Sequence, residues 1–154
     1  MNQPGFDFSV WRMFGVMLIV ISLVACAPPA TPAPDATATT VRQFIDVFNT
    51  GNKDATMALF TGEPEVYRRN YYWRGQTKVR EWVREAIENY RDHIEIIEMK
   101  TEGAKAKGLA RVVSAGTERF YLKTDYLYTF QAVVQNGKLA CLNIGQPVSG
   151  ICGE

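Results

Sequence analysis

The chain has 154 residues, 47% of them apolar and 12% aromatic, with 17 basic and 16 acidic side chains for a net charge of +1 at neutral pH. That length suits one domain with ancillary segments, and the apolar share is enough for a real core. Such a balance lacks the basic footprint of a nucleic-acid binder, so that class is set aside. There is no phosphate-binding glycine loop, zinc-ligand spacing or nucleophile motif, so no pattern implies a cofactor or a metal.

Met13 to Val24 reads MFGVMLIVISLV and carries no charge; ahead of it the only charged side chains are Asp7 and Arg12. A bilayer-spanning helix needs about 20 apolar residues. This run is shorter and has the length of a signal-peptide core. It closes in Leu23-Val24-Ala25-Cys26, which resembles the lipobox of bacterial lipoprotein signal peptides. The resemblance implies that residues 1–25 are removed and that Cys26 is lipidated, with palmitate among its acyl chains. Two or more chains make a stable anchor. The implied location is the extracytoplasmic face of a cell membrane, inner or outer being left open. An uncleaved anchor helix and a plain secretory signal with a free Cys26 thiol are the alternatives.

Residues 26–38 form the expected tether. Four of the chain's seven prolines fall there, with no aromatic or long aliphatic side chain. Such a segment has nothing to bury and favours extended polyproline II, at about 3.1 Å per residue.

The folded domain is expected over 39–150, with a short tail at 151–154. Val41, Phe44, Ile45 and Phe48 recur on one face of a helix that Thr39 or Thr40 can cap and Asn49-Thr50-Gly51 stops. Asp54 is the expected N-cap of a second helix with Met57, Leu59 and Phe60 as its apolar residues, ended by Thr61-Gly62. Residues 65–74, EVYRRNYYWR, read as a strand or tight hairpin. Val79, Trp82, Val83, Ala86, Ile87 and Tyr90 mark the clearest helix. Strands follow at 93–101, 104–114, 118–135 and 138–148, the last pair joined by Asn136-Gly137, a strong hairpin signal. The class is α+β: three N-terminal helices packed on a curved, mainly antiparallel sheet.

Three stretches carry a resemblance over residues 39 to 146. They are Phe44-Ile45-Asp46-Val47-Phe48-Asn49-Thr50-Gly51 with Asp54 and Leu59-Phe60, then Trp73-Arg74-Gly75 with Val79-Arg80-Glu81-Trp82, then Asn136-Gly137-Lys138-Leu139. In this order they resemble the NTF2-like superfamily, which includes the SnoaL-like polyketide cyclases and ketosteroid isomerase. The resemblance implies a cone with a pocket between the helices and the concave face of the sheet.

Strand parity suggests what lines that pocket. Phe120, Leu122, Tyr126, Tyr128, Phe130, Ala132 and Val134 share one side, and Ala104, Ala106, Gly108, Ala110 and Val112 share a side of the preceding strand. Small residues there leave room, and aromatics border it. The candidate ligand handles are Tyr67, Trp73, Trp82, Tyr126, Tyr128 and Asn143, against the plainer reading of an aromatic core. Enzymes of this superfamily use a carboxylate or histidine in the pocket. The candidates are Asp125 and Glu65, but parity puts Asp125 outside. His93 reads as a rim residue. The outer face would carry Lys105, Lys107, Arg111, Arg119 and Lys123 beside Leu109, Val113, Leu127 and Val133.

Cys141 and Cys152 are an even pair once Cys26 is acylated. A disulfide between them, two free thiols, a buried Cys141 and a two-ligand metal site are the readings, the first preferred in an exported chain. The function expected is a membrane-anchored domain that binds a small apolar ligand or a protein partner without catalysis. Its rivals are a SnoaL-like or isomerase-like enzyme and an assembly module that docks, or pairs as a homodimer, through the sheet.

Overall fold

The structure, a computed structural model, describes residues 34–116, 124–145 and 152. Cys26 with its lipobox, the tether before residue 34, and Arg119, Phe120, Leu122 and Lys123 lie outside the described residues.

Helix α1 (Pro34–Asn49) turns Val41, Phe44, Ile45 and Phe48 into the core, as their spacing predicts. It starts earlier than expected. Proline suits a first helical turn, where its missing N–H has no intrahelical acceptor to lose. Thr37 is buried and donates to Gly103 O at 2.8 Å. Thr40 is no cap: its hydroxyl donates back to Ala36 O at 3.0 Å. Residues 34–38 are therefore helical rather than extended tether.

Helix α2 (Lys53–Ala58) is capped by Asn52, whose side chain accepts from Ala55 N at 3.0 Å. Asp54, expected in that role, lies in the first turn and meets Arg80 Nη1 at 2.7 Å. Phe60 leaves the helix and opens strand β1 (Phe60–Arg68), so Thr61 and Gly62 lie in the strand. Strand β2 (Tyr71–Arg74) returns antiparallel through Arg69-Asn70. Helix α3 (Gly75–Arg84) buries Val79, Trp82 and Val83 and runs on into a π turn (Glu85–Asn89).

Four strands follow: β3 (Asp92–Glu102), β4 (Lys105–Ser114), β5 (Thr124–Gln135) and β6 (Lys138–Ile144). The sheet order is β2-β1-β6-β5-β4-β3. β1 pairs parallel with β6 and the other described neighbours are antiparallel. Register fixes two faces. Val112, Ala110 and Gly108 lie opposite Tyr126, Tyr128 and Phe130, and Ala132 lies opposite Leu142. This is the inner face, with Phe130, Ala132, Leu142 and Ile144 buried under the helices. Among the core aromatics, Phe44 meets Phe60 edge-on at 5.3 Å and Phe48 stacks on Trp82 at 5.8 Å.

The small residues of β4 do not surround empty space. Ala106 and Ala110 are buried in the core cluster. Gly108 serves the strand pairing instead. The register of β3 against β4 shifts between Ile96 and Glu98. A Cβ at Gly108 would stand 1.8 Å from Glu98 O, a backbone atom that cannot swing aside. Gly108→Ala should therefore cost at least the usual overpacking penalty of about 1–3 kcal/mol, read as a lower urea midpoint at unchanged m-value.

Cys141 of β6 and Cys152 are disulfide-bonded across 11 positions of sequence, and both are buried. Closing a loop of that size stabilises by roughly 3 kcal/mol in the chain-entropy model. The Cys141→Ser/Cys152→Ser chain should lose about that much in denaturant unfolding, and reductant should destabilise the wild type but not the double variant.

Candidate functional site

Asp92 opens β3 opposite Ser114, the last residue of β4. Its side chain is 2% exposed and pairs with the Arg68 guanidinium, itself 13% exposed. Ser114 Oγ donates to the other carboxylate oxygen. Arg68 lies at the end of β1, and β6, β5 and β4 stand between β1 and β3. Four strand spacings in a flat sheet would span about 19 Å. Contact between the two side chains thus requires the sheet to curl, and their ion pair closes the curl.

A cavity of about 280 Å³ opens beside this clasp. It is lined by Arg68, Arg69, Tyr71, Trp73, Trp82, Glu85, Ala86, Tyr90, Ser114 and Thr124. Local structure explains how each group arrives. Alternation along β1 and β2 places Val66 and Trp73 as a cross-strand pair and Arg68 opposite Tyr71, so Trp73 and Tyr71 share the inner face. Their rings stand 5.9 Å apart, and Trp73 is 6.3 Å from Trp82. In the π turn, Tyr90 N donates to Glu85 O at 3.0 Å, a five-residue step that inserts one extra residue. Ala86 stays buried, but Tyr90, expected on the buried stripe, is 39% exposed at the cavity rim.

Arg69 on the rim has a left-handed backbone at φ 54, and so does Arg91 just after the π turn at φ 50. Neither is glycine, so each conformation must be held by its surroundings. Gly116 N caps the helix end by donating to Tyr90 O at 2.9 Å. Arg69 donates through Nε and Nη2 to Tyr128 Oη at 3.0 and 2.6 Å, and its guanidinium lies 5.5 Å from the Tyr126 ring centre.

Of the expected handles, Trp73 and Trp82 line the cavity. Tyr126 and Tyr128 lie on the inner face, as parity predicts, but Tyr126 is half exposed and both serve to hold Arg69 rather than to line the space. Tyr67 and Asn143 are paired neighbours on β1 and β6, one position off the inward-facing Val66 and Leu142, so both belong to the outer face. Tyr67 stacks on Tyr72 at 4.5 Å. Burial first, then the hydrogen bond with Tyr72 and the charge of Glu65, raises its phenol above the ordinary value.

Neither candidate carboxylate reaches the cavity. Asp125 lies opposite Val113 on the outer face and accepts from Arg111 Nε and Nη2 at 2.8 and 2.5 Å. Glu65 accepts from the Tyr67 and Tyr72 hydroxyls, both at 3.2 Å, on the same outer side. His93 is exposed on β3. Arg68, Asp92, Glu85 and Ser114 were not foreseen. Arg68 and Asp92 are 24 positions apart and meet only through the curl; sequence alternation from Val66 could have placed Arg68 inward, but nothing local announces its partner.

Both Asp92 oxygens are occupied, and the carboxylate serves as a buried clasp. Among the described residues no group of three or more His, Cys, Asp or Glu could hold a metal ion. Removing one partner of a buried pair strands the other charge and costs about 3–5 kcal/mol. Asp92→Ala should show a loss of that order in chemical unfolding, while Asp92→Asn, which keeps an acceptor for Ser114, should lose less.

No protein-family profile and no curated protein matches the sequence. Solved structures do match. A candidate polyketide cyclase from Sinorhizobium meliloti aligns with a TM-score of 0.60 at 20% identity, over 69% of this chain and 93% of that one. An NTF2-like protein of unknown function from Cytophaga hutchinsonii gives 0.59 at 14%, over 70% and 87%. A LEH-like epoxide hydrolase of M. tuberculosis gives 0.65 at 12%, over 74% and 84%. At these identities the likeness is one of architecture. With helices on the inner face of a curled six-stranded mixed sheet, the chain has the NTF2-like fold.

Proposed function

We propose that the chain is a lipid-anchored extracytoplasmic domain that binds a small, largely apolar ligand in the cavity beside Trp82, without catalysis. The carrying observation is the cavity's composition. Three aromatic walls, Tyr71, Trp73 and Trp82, and Ala86 supply apolar surface, while a few polar groups stand at the edge. Pockets that bind small organic molecules have this make-up. A volume of about 280 Å³ suits a two-ring compound.

The absence of catalysis rests on the carboxylates. Asp125 and Glu65 face outward, and Asp92 is neutralised by Arg68 and covered by Ser114. A general base must reach its proton within hydrogen-bonding distance. On this reading Glu85, which lines the cavity from the π turn, serves as a polar handle and not as a base.

The anchor rests on Leu23-Val24-Ala25-Cys26 alone. Among the described residues no helix is long and apolar enough to cross a membrane.

Two measurements test this. Naphthalene, added to the whole chain labelled with ¹⁵N, should shift the indole N–H peaks of Trp73 and Trp82, and Ala86→Phe, which fills the cavity, should abolish the shifts while keeping the amide spectrum. Unmoved indole peaks at saturation would sink the binding reading. Cys26→Ser in a bacterial host should end incorporation of an alkyne-palmitate analogue and release the protein from the membrane fraction; equal labelling of both chains would sink the anchor.

A further inference from the structure

Helix α1 runs antiparallel to β3, and this fixes the end of the sheet from which the tether leaves. At the last residue of the helix, the Asn49 amide exchanges hydrogen bonds with Ile94 N and O at 2.9 and 2.8 Å. One turn from its start, Thr37 donates to Gly103 O at 2.8 Å. Pro34, where the helix begins, therefore stands beside the β3–β4 turn. The cavity is at the other end of the same strands, where Asp92 lies opposite Ser114 and Ser114 opposite Thr124. The 11 residues of β3 separate the two ends, about 35 Å in an extended strand.

The early start of α1 makes the tether short. Cys26 lies eight positions before Pro34. An extended chain covers at most about 3.5 Å per residue, so this stretch reaches roughly 28 Å. A domain standing on its cavity end would lift Pro34 about 35 Å from the surface, beyond that reach. On the anchor reading two poses remain, upright on the β3–β4 turn or lying on one side.

Charge chooses between them. Lys100, Lys105, Lys107 and Lys138 are exposed at the turn end, and none of them forms an ion pair among the described residues. Lys100 lies directly opposite Lys107 across the strand pair. Like charges so placed are destabilising, so the sheet itself gains nothing from the arrangement. With Thr101, Glu102 and Lys105 the two line a hollow of about 380 Å³. Glu98 and Glu102 flank Lys100 on β3 and leave the four lysines an excess of two positive charges. An anionic lipid surface attracts such a cluster within about a Debye length, roughly 8 Å at physiological salt.

We propose that the β3–β4 turn and the neighbouring β5–β6 turn face the membrane, with Lys100, Lys105, Lys107 and Lys138 against anionic headgroups and the cavity held at the far end. This deepens the anchor reading and rests on it. The acyl chains supply the affinity and the lysines supply the orientation. A ligand then reaches the cavity from solution and not out of the bilayer that carries the protein.

The test uses the whole chain from a bacterial host that acylates Cys26, placed on vesicles of phosphatidylcholine and phosphatidylglycerol in equal parts. With Cys141 and Cys152 bonded to each other, a single introduced cysteine takes a fluorophore, at Gln135→Cys beside the turns or at His93→Cys at the cavity end. The vesicles carry a spin label on their headgroups, which quenches a fluorophore close to the surface. The expected result is loss of fluorescence at position 135 and none at position 93. That loss should shrink when the four lysines are changed to Gln, in pure phosphatidylcholine, and at about 1 M salt, where the Debye length is ~3 Å. Equal quenching at the two positions, or quenching at 93 alone, overturns the orientation and leaves the anchor standing. Quenching at 135 that ignores lipid charge and salt overturns the headgroup contact, and this comparison needs no lysine variant. A chain that does not float with the vesicles overturns the anchor and the inference with it.

Discussion

The carboxylate of Asp92 is withdrawn from water at the first residue of β3, and a buried charge has to be met by an opposite charge and by hydrogen bonds. Arg68 and Ser114 meet it. Because those groups come from β1 and β4, the requirement is also a shape constraint: it holds the end of β1 against the start of β3 across the curl of the sheet. Replacing such a pair with apolar residues is often neutral in stability. Its contribution here is geometric, since it forms one wall of the cavity while removing a free carboxylate from it.

The cavity lies where β1 and β4 end and β5 begins. No residue of α1 lines it; its walls come from α3 with the π turn, the β1–β2 hairpin and the ends of β4 and β5. Some of the departures from regular backbone lie near it. The π turn and the left-handed Arg69 border the opening, and the left-handed Arg91 follows the turn. Each has a local cost, and each is held by a named contact: Gly116 on the helix end, Tyr128 on Arg69.

What could be read from the sequence follows from the range of the interaction concerned. Helical periodicity and strand alternation are local, so Val41, Phe44, Phe48, Val79, Trp82 and Val83 were legible as core, and Tyr126, Tyr128 and Phe130 as one face. Alternation also placed Asp125 outward. Ends of elements were less legible. Pro34 begins a helix that composition assigned to a tether, because Thr37 finds Gly103 across 66 positions. Phe60 is apolar in either a helix or a strand, and its pairing with Leu139 decides for the strand. The site itself was half legible. Trp73 and Trp82 fell on predicted faces, whereas Tyr67 and Asn143 were assigned inward with no neighbouring strand to fix their parity. Asp92, Arg68 and Glu85 are ordinary charged residues until the sheet curls and the π turn shifts its register.

The two faces of the sheet use the same residue types to different ends, and burial decides which. On the outer face Arg111 holds Asp125 in two hydrogen bonds, yet both side chains are 47% exposed, and a pair screened by water contributes little. On the inner face Arg68 and Asp92 make a similar pair almost out of solvent, where neither charge can be left alone. On the proposed reading, a ligand entering the cavity meets cations that are already committed and aromatic walls that are not.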